Sequence, residues 1–420
     1  MNKIAVVGAG ISGLATAWML APRHAVTLFE AGRYLGGHTN TVDVTVDGVT
    51  HPVDTGFLVF NDRTYPNLLR MFAHLGVESA PSEMSFSVRI GDGAIEWAGT
   101  NLATVFAQPS NLVRPRFLRM LRDLVRFNRE ASRLAASGAA VRGSLGDYLD
   151  EGGYGAELRG LYLLPMAACI WSTPSTQVNR FPLRTFLDFC HNHGLLAVTN
   201  RPQWRTVAGG GRAYVRRLAQ GIPDIRTGVP VRQVRRDAHG VTLMTDHGPE
   251  RFDQVVMATH TDQSLALLEH PTVEERSVLK AIPYLPNRAV LHTDESLLPT
   301  RKRAWAAWNF HSPREDATDE PVSLSYLINR LQPLPFAKPV VVTLNPIREP
   351  APASVQAEFR YHHPAFLENS DEAKARLPAL QGRNRTWFAG AWTGYGFHED
   401  GLASALAVAR GMGVEAPWRA

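Results

Sequence analysis

The chain has 420 residues, which suits two domains better than one. With 45% hydrophobic and 20% charged residues it has the make-up of a packed globular protein, which excludes wholesale disorder. The net charge of +5 is carried mainly by Arg, since Lys3, Lys280, Lys302, Lys338 and Lys374 are the only lysines; no nucleic-acid motif accompanies it, so nucleic acid is not an expected partner.

The first forty residues carry the strongest pattern. Ile4-Ala5-Val6-Val7 reads as a buried parallel strand. Gly8-Ala9-Gly10-Ile11-Ser12-Gly13 follows, then a helix over 14–20, then the strand Ala25-Val26-Thr27-Leu28-Phe29 ending in Glu30. Gly8 permits a tight turn, Gly10 lets backbone approach a pyrophosphate, and Gly13 lets helix pack on strand. Unpaired N–H groups at the helix start suit phosphate. Glu30 lies 20 residues beyond Gly10, where a carboxylate accepts from ribose hydroxyls. A lone glycine motif is weak, but this one has both its flanks and its acid. It predicts a dinucleotide site. The strand begins almost at residue 1, so no leader is expected, and no apolar run approaches the roughly 20 residues of a spanning helix. The cytoplasm is the expected location.

Leu35-Gly36-Gly37-His38-Thr39-Asn40-Thr41 comes next. Here the chain resembles the flavin-containing amine oxidase and phytoene desaturase superfamily, whose members carry a second Gly-Gly pair beside the FAD diphosphate. His38 stands where the usual basic residue follows that pair. Val53-Asp54-Thr55-Gly56-Phe57-Leu58-Val59 is similar to the superfamily element that passes near the flavin ring. Tyr65-Pro66 opens a helix that ends at Leu75-Gly76-Val77. Residues 84–204 are richer in Arg and aromatics and include the apolar stretch 161–171. Trp204-Arg205-Thr206-Val207-Ala208-Gly209-Gly210-Gly211 resembles the return to the cofactor domain. Residues 229–234 and 241–244 alternate as a half-buried hairpin. Residues 252–259 resemble the strand leading out again, and Trp387-Phe388-Ala389-Gly390-Ala391-Trp392 with Gly401-Leu402-Ala403 resembles the last strand and helix.

The resemblance implies an α/β fold. A Rossmann-type FAD-binding domain (parallel sheet plus β-hairpin) would comprise residues 1–83, 205–279 and 381–420. An interleaved α+β substrate domain would comprise 84–204 and 280–380. Non-covalent FAD would be held by Gly8, Gly10, Ile11, Ser12, Gly13, Glu30, Ala31, Gly36, Gly37, His38, Thr39, Thr55, Gly56, Phe57, Val231, Ala258, Gly390, Trp392, Gly401 and Leu402.

Phe60-Asn61-Asp62-Arg63-Thr64-Tyr65-Pro66-Asn67, Met84-Ser85-Phe86-Ser87-Val88 and Gly396-Phe397-His398-Glu399-Asp400-Gly401-Leu402 narrow the resemblance. They are similar to a bacterial branch that looks like the N-terminal flavoprotein region of plant cyclopropane-fatty-acid synthases. That implies an FAD-dependent oxidoreductase acting on an apolar substrate, by dehydrogenation or isomerisation of a fatty-acyl chain of a phospholipid. It also implies a cyclopropane-fatty-acid-synthase-like partner. The alternatives are an amine or polyene isoprenoid oxidase, and a non-catalytic flavin-binding partner of a lipid methyltransferase.

Several residue groups bear on the chemistry. The amine-oxidase branch keeps a Lys near the flavin, whereas Pro286-Asn287-Arg288-Ala289-Val290-Leu291-His292 has none, with Lys280 and Lys302 the nearest in sequence. His398 and Glu399 precede the last helix and are candidates for proton transfer beside the ring. Asp400 and Glu399 also suit a helix start, with Asp400 as N-cap. His191, His193, His362 and His363 lack a carboxylate cluster, so no metal is expected; Tyr361 and His362 read either as lining a substrate cavity or as ordinary sheet positions. Trp305, Trp308, Phe310, Trp387, Trp392 and Tyr395 are expected mostly in the core. Cys169 and Cys190 form no CxxC pair and are expected as buried thiols. Arg119, Arg122, Arg126, Arg129 and Arg133 form one helical stripe, with Phe117, Leu121, Leu124, Val125 and Phe127 opposite. Such a helix reads either as an ordinary surface helix or as peripheral contact with the inner face of a membrane through 114–134.

Overall fold

The computed structural model describes residues 1–137, 141–172, 174–197, 201–314 and 321–418. Lys3–Val7 forms the middle of a five-stranded sheet, and its last four residues are buried. The sheet order is Asp224–Thr227, Ala25–Glu30, Lys3–Val7, Gln254–Met257, Thr386–Phe388, with every pair parallel. The central strands Lys3–Val7 and Gln254–Met257 are mostly apolar because both faces are covered, whereas the edge strand Asp224–Thr227 carries Asp224 and Arg226. The helix Ile11–Leu20 starts three residues earlier than the sequence suggested, directly after Gly10. It packs against the final helix His398–Gly411, which also starts three residues earlier than Gly401.

The expected hairpin is a three-stranded antiparallel meander of Val231–Asp237, Gly240–Thr245 and Gly248–Phe252. Its third strand contains Pro249 and charged Glu250 and Arg251, which hides it from a reading based on strand propensity. The helix Pro66–Leu75 ends at Gly76 with φ 65°, a left-handed cap that favours glycine.

A second, seven-stranded sheet runs in the order Val355–Pro364, Tyr284–His292, Val341–Leu344, Ser323–Leu327, Trp308–Ser312, Phe86–Ile90, Ile95–Ala98. Its single parallel pair, Trp308–Ser312 with Phe86–Ile90, joins the early segment to the later one. Helices Pro115–Ala136, Leu164–Trp171 and Leu183–Asn192 pack beside it through Phe117, Phe127, Trp171 and Phe186. Cys169 and Cys190 are free and buried there. Among the described residues no helix is long and apolar enough to cross a membrane.

The Pro115–Ala136 helix corrects the expected amphipathic pattern. Phe117, Met120, Phe127 and Ala131 face the core, but Val125 is 69% exposed and Leu118 43%. The Arg stripe also divides. Arg119 pairs with Glu157 at 2.7 Å, and Arg126 lies over Tyr154 and donates to the Gly153 carbonyl.

Candidate active site

One cavity of about 1200 Å³ runs from the tips of the parallel strands to the seven-stranded sheet. That exceeds the roughly 300–1,000 Å³ of ordinary small-molecule pockets. It has room for a dinucleotide and a second ligand.

At one end the wall is backbone. Gly8 has φ 100°, and a Cβ there would meet the Ala258 carbonyl oxygen at 2.7 Å. A Cβ on Gly13 would lie 1.8 Å from the Gly8 carbonyl oxygen, so the helix can approach the strand only with glycine at 13. Over Gly10 there is open space, with nothing within 4 Å of a Cβ. The helix that follows has no side-chain cap and no acid in its first turn. Its free N–H groups are available to phosphate. The Gly36-Gly37 turn closes on this point: Gly36 N–H donates to the Ala9 carbonyl at 2.8 Å, and a Cβ on Gly37 would sit 3.1 Å from Gly10 Cα. Glu30 ends the second strand. Its two oxygens accept from Ala9 N–H at 2.8 Å and Gly32 N–H at 2.7 Å, which fixes the carboxylate while leaving lone pairs for ribose hydroxyls. These residues fit FAD.

Of the sequence-predicted cofactor residues, Gly8, Gly10, Ile11, Ser12, Glu30, Ala31, Gly36, Gly37, His38, Gly56, Phe57, Val231, Ala258 and Gly390 line this cavity. Gly13 and Gly401 act one layer back, in close packing. A Cβ on Gly401 would meet Ile11 at 2.8 Å. Leu402 and Trp392 are buried behind the wall. Thr55 donates to the Asn40 carbonyl and is bonded to Tyr361 Oη at 2.7 Å. Thr39 is bonded to Tyr214 Oη and, at 2.8 Å, to His398 Nε2.

His398 lies on the cavity wall, stacked on Phe57 with ring centroids 3.6 Å apart. Burial pulls its pKa down to about 3, so it is neutral. Glu399 is elsewhere. Its carboxylate accepts from Asn67 N–H, Asn67 Nδ2 and Leu68 N–H at 2.7–3.0 Å, and it does not line the cavity. In this position Glu399 caps the Pro66–Leu75 helix and does not face the cavity where proton transfer was expected of it. Asp400 is a correction of detail. Phe397 is the N-cap, and Asp400 reaches back to the Phe397 N–H at 2.9 Å from the third helical position.

Sequence reasoning missed a cluster around His38. Its ring lies 5.3 Å from Tyr361, 5.3 Å from His363 and 6.0 Å from His260, centroid to centroid. Burial lowers His38 to about 4, and His260 and His363 to about 3. Tyr361, His362 and His363 thus line the cavity as well as belonging to a strand. The surface this strand faces is set by residues distant in the sequence, which no local pattern shows. Among the described residues no group of His, Cys, Asp or Glu is arranged to hold a metal.

The far end of the cavity is aromatic and aliphatic. Tyr162, Met166 and Ile170, four residues apart, enter from one helical face. Phe86, Phe189, Trp308 and Tyr326 complete that end. Glu30 is the one carboxylate among the described lining residues, and no Lys is among them. Lys302 is 72% exposed and pairs with Glu295, and Lys280 is exposed at a helix end, so neither reaches the site. Of the other aromatics singled out in the sequence, Tyr395 joins Trp308 on the wall, while Trp305, Phe310, Trp387 and Trp392 do not.

A dinucleotide groove that opens into an apolar chamber defines a flavin-dependent oxidoreductase. The chain belongs to the flavin-containing amine oxidoreductase family, whose sequence model matches residues 11–412. FAD is accordingly its cofactor. A carotenoid phi-ring synthase of Streptomyces griseus is 29% identical over 277 residues, 61% of this chain and 52% of that protein. The chain thus spans about half the length of that curated relative. Among solved structures, the CLA-producing fatty acid isomerase from P. acnes superposes with a TM-score of 0.69 at 15% identity, covering 97% of this chain and 98% of that one. Putrescine oxidase bound to putrescine gives 0.68 at 15%, covering 98% of each. Cyclohexylamine oxidase from Brevibacterium oxydans gives 0.64 at 18%, covering 98% and 99%. These three likenesses establish the fold.

Proposed function

We propose that the protein oxidises or isomerises an unsaturated or methyl-branched acyl chain of a phospholipid. The wall of the far chamber carries this reading. It offers mostly aromatic and aliphatic side chains, with the guanidinium of Arg201 near Tyr162, and no carboxylate beyond Glu30 at the cofactor end. An ammonium substrate taken into such a chamber would lose its hydration without gaining a counter-charge. An acyl chain loses nothing of the kind and gains apolar contact.

When bound, the flavin supplies a two-electron acceptor for hydride from an allylic carbon, the C–H that a neighbouring double bond weakens. The chain's own residues do the rest. Phe86, Trp308 and Tyr326 exclude water and orient the acyl chain. Tyr162, Met166 and Ile170 set the depth to which it enters. Neutral His398 and His38 add no positive charge of their own to the wall, so that its fixed positive charge comes from Arg201, Arg232 and Arg360. The cofactor is held without a covalent bond in this reading, and a thioether in particular has no anchor, because both cysteines are buried outside the cavity lining.

The relatives support an apolar substrate, since one is named for a carotenoid ring and one for a fatty acid. A polyene isoprenoid is thus the second reading. A cyclopropane-fatty-acid-synthase-like partner stays within the first and rests on the sequence resemblance alone.

Anaerobic mixing is the test. Purified protein should be yellow, should release FAD on denaturation, and should bleach with dispersed unsaturated or methyl-branched phospholipid. Bleaching by carotenoid precursors alone would favour the second reading. Rapid bleaching by putrescine or an aromatic amine, with lipids inert, would overturn both. A flavin that no organic substrate bleaches would mark a non-catalytic accessory protein.

A further inference from the structure

The described residues expose eleven large hydrophobic side chains, and five of them, Leu102, Leu112, Val113, Leu118 and Val125, fall within residues 102–125. Single exposed apolar residues need no explanation, but a concentration does. Leu118, Arg122, Val125 and Arg129 follow one another at steps of four, three and four, which makes a single ridge along the Pro115–Ala136 helix. This ridge points opposite to Phe117, Met120 and Phe127, which already sink the helix into the core. Leu118 and Val125 therefore have no task in holding the fold. Leu112 and Val113, 55% and 80% exposed, form a knuckle just before the helix.

The ridge is also positive. Arg122, Arg129 and Arg133 are exposed, and the guanidinium groups of Arg129 and Arg133 have no ion pair among the described residues. Of the helix's two acids, Asp123 is buried and pairs with Arg122 at 3.2 Å, and Glu130 accepts from Tyr154 Oη, so neither is paired with Arg129 or Arg133. On the flank, Arg119 and Arg126 clamp the helix to residues 153–157, so the ridge is held rigidly. The chain leading to this surface starts at the cavity. Gly99 and Thr100 are both exposed and both line it, which marks an opening, and Leu102, 77% exposed, lies two residues on.

We propose that this ridge and knuckle seat the protein on the surface of an anionic lipid bilayer, with the opening at Gly99-Thr100 serving lipid entry. The proposal rests on the acyl-lipid reading for the entry step, while the docking itself stands on the ridge. Leu112, Val113, Leu118 and Val125 would enter the headgroup boundary, and the Arg side chains would meet lipid phosphates. A second copy of this chain is a poorer occupant, because a two-fold contact through the ridge would bring Arg122, Arg129 and Arg133 against their own copies.

The test is sedimentation of the flavin-loaded protein with phosphatidylcholine vesicles, with and without phosphatidylglycerol. Wild type should pellet with the anionic vesicles and be released by salt. Arg129→Glu with Arg133→Glu should weaken binding by about tenfold or more, from the worth of each basic residue at such a surface. Leu118→Ser with Val125→Ser should remove the part of the binding that survives high salt. Flavin absorbance and thermal midpoint should not change in either variant, because neither pair touches the cavity. Failure of wild type to pellet, or equal pelleting by all variants, overturns the proposal. So does a dimer in analytical ultracentrifugation that the ridge variants break. Bleaching by detergent-dispersed lipid is read separately. Bleaching without vesicle binding would sink the docking surface and leave the substrate reading standing. Vesicle binding without bleaching would do the reverse.

Discussion

The two ends of the cavity are built by opposite means. The cofactor end is made of backbone, and its geometry depends on missing side chains at Gly8, Gly10, Gly13, Gly36 and Gly37. The substrate end is made of large side chains on helices and sheet, Tyr162, Met166, Phe189, Trp308 and Tyr326. A backbone wall has no volume to exchange, so a change there acts on all or nothing. A side-chain wall can be recut without touching the turn that holds phosphate. That contrast explains how the same fold at 15–18% identity frames proteins named for a fatty acid, a diamine and a cyclohexylamine.

The largest effect should follow Gly13→Val. The new Cβ would lie 1.8 Å from the Gly8 carbonyl oxygen, so helix and strand must part. A cost of about 3 kcal/mol or more is expected from overpacking of this severity. The protein should purify without flavin, if it folds at all. A Gly13→Val protein with full flavin absorbance would show that the cofactor end has slack, and the contrast between the two ends would weaken.

Glu30→Ala comes next. The carboxylate serves the Ala9 and Gly32 amides as well as the ribose, so the substitution should affect both fold and cofactor. Loss of a charged hydrogen-bonding partner costs about 1.5–3 kcal/mol, which is roughly a tenfold to hundredfold weaker hold on FAD. Equilibrium dialysis measures it. Unchanged occupancy would place the ribose contact elsewhere.

The same contrast governs how much was legible beforehand. Glycines in a turn announce themselves, because a missing side chain has one physical reading at Gly8, Gly10 and Gly13 and a narrow one at Gly36-Gly37. The parallel sheet followed, since Ile4-Ala5-Val6-Val7 is apolar without alternation and 252–259 resembles the strand that leads out of such a cofactor domain. The substrate end has no such marker. Tyr162, Met166 and Ile170 read equally as core, and only the position of the sheet carrying Trp308 and Tyr326 makes them a wall. The His38, His260 and His363 cluster joins residues more than 300 positions apart in sequence, beyond any local pattern. Glu399 and Val125 went astray for a related reason. A carboxylate before a helix suits a base and a cap alike, and helical spacing does not say which face the core takes. Asn67 decides the first, and the 153–157 segment, which takes Arg119 and Arg126, decides the second.

Acid should separate the ends more gently. Burial holds His38 and His193 at about 4, and His260, His363 and His398 at about 3, all on the cavity wall. Unfolded, each takes a proton near 6.5. Their contribution to stability is therefore present above pH 6.5 and is lost as pH falls from there towards 3–4. Asp54 and Asp400, raised by burial to about 6, act in the opposite sense. They favour the folded state at low pH and cease to do so as pH rises through about 4 to 6. With His292 and His311, also held at about 4, the histidines outnumber Asp54, Asp400 and the raised Glu399, which gives a net loss on acidification. The thermal midpoint of flavin-free protein should fall steadily between pH 6.5 and 4. A midpoint that held or rose across that interval would mean the histidines are solvated and the wall is looser than described.

The smallest effect is expected from Glu399→Ala, and it tests the line between fold and chemistry. Two of its three hydrogen bonds come from the Asn67 and Leu68 amides, in the first turn of a helix that begins with Pro66. Those amides have no intrahelical partner, and Tyr65 supplies no side-chain cap. Loss of a cap costs about 0.5–2 kcal/mol, so the thermal midpoint should drop by a few degrees for a chain this size. Flavin bleaching by substrate should keep its rate, and above all its pH profile, because the carboxylate does not line the cavity. Burial already raises the Glu399 pKa, so a group of this kind would leave a visible inflection if it moved a proton during turnover. Loss of such an inflection in Glu399→Ala, with the midpoint unchanged, would return Glu399 to the chemistry and require the Pro66–Leu75 helix to find another cap.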